Sequence, residues 1–309
     1  MTGPVAPFDR RAVRLHRDRA ARDFAAHDFL FREAAERLAG RLDDLRRRFR
    51  LALDLGCHAG GLGAALAARD GIEGVVQCDL SPTMAAAARA ANGLATCAAD
   101  EEALPFADAA FDLAVSNLSL HWVNDLPGAL VQIRRVLAPD GLLLASLFGA
   151  GTLAELRAAM TEAELAVEGG ASPRVAPFAD LRDLGDLLAR AGFALPVADL
   201  DTVRVSYETP LRLMRDLAGM GEANAVAERR RGPTRRATLV RSWAQYPRGA
   251  DGRIEATFEV MWIAAWAPGP GQQKALSPGS ARARLATALG TEERPAGDTV
   301  PRPGSPRRN

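Results

Sequence analysis

Between Leu51 and Leu147 the chain repeats one unit: a short apolar run, a turn, and an Ala- or Leu-rich helical stretch. Runs at 51–55, 75–78, 94–98, 112–116 and 142–147 read as strands, and stretches near 62–69, 82–91 and 126–137 read as helices. Strands with so little polar alternation must be buried on both faces, which requires helices on both sides of a parallel sheet. Right-handed crossovers then predict an α/β fold, a Rossmann-like doubly wound sheet. Two later extended runs, 198–207 and 254–266, would complete a seven-stranded sheet with the last strand antiparallel. Helices are expected at 153–167, 178–191 and 210–217.

The flanks differ from this core. Residues 10–49 have a helical pattern, with Phe24, Phe29, Phe31, Leu38, Leu42 and Leu45 on one side and Gly40 bending or dividing the helix. In 267–309, Pro and Gly supply 13 of 43 residues, a level typical of disordered segments, although 281–289 could form a short helix. The expected organisation is an N-terminal helical segment (1–48), a cofactor-binding core (49–150), a C-terminal half of the sheet with a helical substrate lid (151–267) and a flexible tail (268–309).

The formal charge of +1 conceals +5 on residues 1–50 and +4 on 267–309, which leaves −8 for 51–266. An acidic core is a poor nucleic-acid platform, so no nucleic-acid partner is expected. The N-terminal arginines, Arg10 to Arg22, could meet a substrate protein or an acidic membrane surface, but a solvated helix face is the simpler reading. No apolar run reaches the roughly 18 residues of a membrane span, and residues 1–8 do not read as a signal peptide. Cys57, Cys78 and Cys97 match neither a disulfide framework nor a zinc pattern. A soluble protein of the cytoplasm, at most peripheral to a membrane, is therefore expected.

The stretch from Leu51 to Gly61 is an apolar strand ending in a glycine-containing loop that opens a helix. Such a loop lets backbone approach a ligand, because glycine has no Cβ and accepts positive φ. A dinucleotide fingerprint would need glycine at 56, 58 and 61, but position 58 is His, and no phosphate-binding G-x-x-x-x-G-K-[ST] occurs. What remains is Asp54-x-Gly56-x-x-x-Gly60, whose carboxylate suits the ammonium of an amino-acid moiety. Asp79 follows 25 residues later at the end of the second strand, where an acid accepts hydrogen bonds from ribose hydroxyls or caps the next helix. Asp100, after the third strand, could accept from an adenine amino group with Leu104 packed nearby. Ligands of open α/β sheets bind beyond the strand C-termini, which places Ser116 to Trp122 beside the reactive end of such a cofactor. His121 is the candidate general base or, equally, a packed histidine that orients Trp122; no metal ligands are expected.

The motifs LDLGC-xx-G, CDLSPTM, D-x-x-x-LPF, FDLAVSNLSLHW and RVLAPDG, in that order, resemble a class I S-adenosylmethionine-dependent methyltransferase over residues 45–150. The segments ADEEALPF, NLSLHWVNDLPGAL, TL-x-ELR and DLAGMGEANA extend the resemblance, over most of the chain, to the NADH dehydrogenase (complex I) assembly factor five family. The malonyl-acyl-carrier-protein O-methyltransferases of biotin synthesis are a more distant match. The resemblance implies S-adenosyl-L-methionine as cofactor, held by Asp54, Gly56, Cys57, His58, Gly60, Asp79, Leu80, Met84, Asp100, Glu101, Asn117 and Leu118. His58 departs from the family, which usually carries glycine there; if the position needs positive φ, a histidine can adopt it at some cost.

Three activities follow from the resemblance. Methyl transfer to a protein or small-molecule acceptor is the first. The second is hydroxylation of an arginine in a complex I subunit, although the four histidines (His16, His27, His58 and His121) do not fall at facial-triad spacings. The third is non-catalytic binding of a nascent subunit. Cys57 and Cys78 read as small core residues, and Met214 and Met220 as core filling or walls of an acceptor cleft.

Overall fold

A computed structural model describes residues 6–272, 280 and 284–292. The chain divides into two units, Met1–Pro270 and Gly271–Asn309. In the second, the described residues include one short helix, Leu285–Leu289; residues 273–279, 281–283 and 293–309 of the expected flexible tail lie outside the described residues.

The first unit carries a seven-stranded sheet. Its strands are β1 Ala52–Leu55, β2 Val75–Asp79, β3 Ala95–Ala98, β4 Phe111–Asn117, β5 Leu137–Phe148, β6 Ala194–Tyr207 and β7 Ile254–Trp266, in the spatial order β3-β2-β1-β4-β5-β7-β6. Neighbours from β3 to β5 pair in parallel, and β7 runs antiparallel between β5 and β6. The expected α/β doubly wound sheet with an antiparallel last strand is therefore present. In β5, Leu142 and Leu144 enter one core cluster while Leu143, Ala145 and Leu147 enter the other, the period-two alternation of a strand covered on both faces. Because β1 pairs with β2 on one side and β4 on the other, the strand order reverses at β1 and opens a crevice beyond its C-terminal end.

The N-terminal segment is not the single divided helix that its periodicity predicts. Asp9 caps α1 (Arg10–Ala20) by accepting from the Ala12 N–H, Phe24–Ala26 forms a 3₁₀ turn, and α2 (Phe29–Gly40) follows. Phe24, in the turn, packs in the core against Phe31 at 5.1 Å, and Gly40 ends α2 rather than bending it. Helices α3 (Gly61–Ala67), α4 (Pro82–Asn92) and α5 (Leu126–Val136) connect the parallel strands as expected. After β5 come α6 (Ala154–Glu168), α7 (Leu181–Arg190), α8 (Pro210–Gly219) and α9 (Arg236–Gln245), the last of which the periodicity did not suggest. Helix α7 starts after Asp180, which caps it, so Phe178 stays outside the helix and packs on Trp122 and Phe148. Strand β5 begins five residues before its apolar run, because Leu137 already pairs with Phe111.

Candidate active site

The loop after β1 is shaped by its glycines. Gly56 has φ +71° and Gly60 φ +86°, and a Cβ on Gly56 would run into Ser119. His58 sits at φ +48°, as its place between them predicts, at a cost of about 1 kcal/mol. Its ring stacks on Phe24 (5.6 Å) and meets Phe31 edge-on (4.5 Å), while Nε2 donates to the Asn117 carbonyl at 3.2 Å. Burial, aided by the Arg17 charge, lowers His58 to about 4, so the ring is neutral at physiological pH. A His58→Gly substitution is expected to tighten cofactor binding, measured by calorimetry, by relieving the backbone and freeing the Asn117 carbonyl. Equal or weaker binding would show that the ring supports the loop instead.

Asp54 is buried beneath this loop. Its Oδ2 accepts from Gln77 at 3.2 Å, while Oδ1 is buried without a hydrogen-bond partner among the described residues. Burial, with some repulsion from Asp79, raises its carboxyl to about 7. Asp54, Gly56, His58 and Asn117 line a cavity of about 430 Å³ whose other walls include Phe24 and Phe31. An ammonium group would satisfy the free oxygen and return the carboxyl to its charged form.

Asp79, at the tip of β2, is fully engaged. Oδ1 accepts from the Ser81 N–H at 2.8 Å and Oδ2 from the His58 N–H at 3.1 Å, and Arg17 of α1 faces both oxygens. Arg17 is completely buried and also donates to Ser119, which donates to Glu101 at 2.9 Å. Arg10 bonds Asp100 at 2.6 Å and also pairs with Glu101. Burial alone would raise Glu101, but the charges of Arg10 and Arg17 outweigh it and hold the carboxyl at about 2.

Asn117 turns its side chain away, donating to the Phe31 carbonyl and accepting from Ser146, so that it ties α2 to the sheet. Met84 and Leu118 are buried in the core, Leu118 at φ +45°. Leu80 packs against the Phe8–Trp122 cluster, and Leu104 packs with Phe111 and Ile133. Cys57 is buried and burial pushes its thiol up, as for Cys78, in keeping with small core residues.

A second cavity, of about 260 Å³, lies beside Trp122 and has apolar walls that include Leu156, Met160, Phe178 and Met214. Met220 is core filling. Its polar lining includes Glu222, whose Oε2 accepts from His121 Nε2 at 3.0 Å and from the Trp122 indole at 2.7 Å. Burial alone would raise Glu222, but the His121 interaction and the Arg17 charge hold it below the usual range. An ionised carboxylate only accepts, so His121 donates to it through Nε2, while Nδ1 has no hydrogen-bond partner among the described residues. Glu222 Oε1 likewise lacks a partner there. His121 is thus a buried histidine that shares Glu222 with the Trp122 indole and packs against Phe148 and Phe178.

The solvated face expected of Arg10 to Arg22 does not hold at Arg17, which is fully buried, nor at Arg10, which is mostly so, and Glu222 was missed. Arg17 had a usable signal: at spacings of four and three it falls in line with Val13 and Ala20, on the buried face of α1. Glu222 lies within the DLAGMGEANA segment, whose acid had no partner to suggest a role.

A methyltransferase-domain family profile matches residues 53–145. The chain is 40% identical over 285 residues to the mitochondrial arginine-hydroxylase NDUFAF5 of Danio rerio, covering 90% of this chain and 88% of the relative. It is 39% identical over 280 residues to the malonyl-[acyl-carrier protein] O-methyltransferase of Methylovorus sp. (strain MP688), covering 87% and 92%. Among solved structures, YcgJ of Bacillus subtilis superposes with a TM-score of 0.54 at 15% identity, covering 75% of this chain and 99% of that one, a likeness of fold.

Proposed function

The chain belongs to the class I S-adenosylmethionine-dependent methyltransferases, in the family of the complex I assembly factor five proteins, and from that membership we propose that it modifies a cationic protein side chain. The cofactor is S-adenosylmethionine, which when bound supplies a methyl group activated by a sulfonium. The residues present suit it: glycines where backbone must approach, a buried Asp54 oxygen lacking a donor, and an acid at the tip of β2. In this reading Asp54 takes the amino group, Asp79 the ribose hydroxyls and Asp100 the adenine amino group.

The observation that carries the acceptor assignment is Glu222: a buried carboxylate with one free oxygen in the lining of a cavity with apolar walls. Such a cavity accommodates a long aliphatic stem and places a positive head against the carboxylate. An arginine of a complex I subunit has this chemistry, and the NDUFAF5 relatives are named arginine-hydroxylases. Positioning of the acceptor nitrogen does most of the work. His121, held by Glu222 through Nε2 and with Nδ1 unpartnered among the described residues, is the candidate general base for an acceptor that must lose a proton.

The name of those relatives favours hydroxylation as a second reading of the same cavity. Incubating the protein with S-adenosylmethionine and an extract from a strain lacking it, followed by mass spectrometry of the quinone-proximal complex I subunit, distinguishes the two. A gain of one methylene mass with label from the methyl group supports transfer; a gain of one oxygen that disappears under anaerobic conditions supports hydroxylation. No mass change, with assembly still supported by an Asp79→Ala variant, would mean a non-catalytic assembly factor.

Among the described residues no helix is long and apolar enough to cross a membrane. The proposed setting is the cytoplasm, with at most peripheral membrane contact.

A further inference from the structure

Arg17 is a fully buried arginine on a helix whose other buried residues are Ala12, Val13 and Ala20. The packing of α1 does not call for a charge there; the acids across the crevice do. Arg17 lies 3.3 Å from Asp79 Oδ2, 3.4 Å from Asp79 Oδ1 and 3.5 Å from Glu101. A carboxylate has about four lone-pair positions. On Asp79 these are taken by the Ser81 N–H, the His58 N–H and Arg17 facing both oxygens, so ribose hydroxyls can bind only if Arg17 withdraws.

We propose that Arg17 and the adenosyl cofactor are alternative occupants of Asp79, so that α1 is a displaceable lid latched by its arginine while the cofactor is out. The lid includes the loop that carries Glu222. Asp9 N–H donates to the Ala225 carbonyl at 2.8 Å, Ala227 N–H to the Pro7 carbonyl at 2.8 Å, and His16 Nδ1 lies 3.1 Å from the Ala223 carbonyl. Gly221, at φ +81°, leaves its missing Cβ position 3.3 Å from Arg17 Cγ. Withdrawal of α1 therefore disturbs the proposed acceptor cavity, and the cofactor must bind before the acceptor.

The inference rests on the cofactor reading above, and the test separates them. Wild type and Arg17→Met, both full-length, are titrated with S-adenosylmethionine by calorimetry, and hydrogen–deuterium exchange of residues 10–20 is followed in the wild type with and without S-adenosylhomocysteine. The latch predicts that Arg17→Met binds at least about tenfold tighter, because the fraction of closed lid no longer taxes affinity. It also predicts that exchange in α1 rises when the cofactor analogue is bound. Binding by the wild type with equal or weaker binding by Arg17→Met, or a fall in α1 exchange as expected of an arginine that clasps the ligand, overturns the latch alone. Absence of binding by both proteins overturns the cofactor reading and the latch with it. The exchange measurement decides the matter if Arg17→Met does not fold.

Discussion

Replacing Glu101 with alanine is expected to lower the unfolding free energy by about 3 kcal/mol, because it strips a shared carboxylate from two arginines that are buried or nearly so. The sign follows from the carboxyl itself. Burial would raise it, yet Arg10 and Arg17 hold it at about 2, below its ordinary 4.5. A carboxylate depressed that far contributes roughly 3 kcal/mol near neutral pH. That stability is fully present above its unfolded value and is lost as the pH falls from about 4.5 towards about 2. Urea unfolding at neutral pH and at pH values within that window measures both effects: the wild type should weaken steeply with acid, and Glu101→Ala should start lower and weaken less. Equal acid sensitivity in the two proteins would place the stabilising carboxylate elsewhere.

The second large effect is at Glu222. A Glu222→Gln substitution is expected to reduce kcat/KM for modification of the acceptor by about 10²–10⁴-fold, the range spanned when a positioned acid or base is lost. The amide keeps the size of the side chain but removes the charge that accepts from His121 Nε2 and that faces the acceptor cavity. If Glu222 serves mainly to hold the cation, KM rises with kcat little changed; if it serves mainly through His121, kcat falls and its pH profile moves. Wild-type kinetics in a folded Glu222→Gln protein would remove Glu222 and His121 from the reaction together. Circular dichroism and melting of the variant check the fold independently, since Glu222 also accepts from the Trp122 indole.

The architecture was largely legible in the residues. Each of the first five strands lies where its apolar run predicts, within a few residues, and the glycine loop, Asp54 and Asp79 line the crevice at the strand-order reversal. These features are local: a strand covered on both faces needs an unbroken apolar run, and a turn at positive φ needs glycine or, at a cost, His58. The N-terminal helices were less legible. A helical period reports which face is apolar but not where the chain must turn to deliver Phe24 beneath the cofactor loop.

Site residues divide on the same physical line. Asn117 lines the cavity at the end of β1 while its side chain bonds Phe31 and Ser146, and Leu118 packs into the core, since a residue's position along a strand does not say where its side chain finds a partner. The pairing of Arg17 with Asp79 spans 62 positions and that of His121 with Glu222 spans 101. The sequence by itself determined the sheet, the crevice and the acids around it, because backbone geometry and burial impose those patterns over a few neighbouring residues. Only the tertiary structure decided which charges those acids meet, because an ion pair exists only once packing has brought two distant helices and loops to within a few ångströms and excluded water between them.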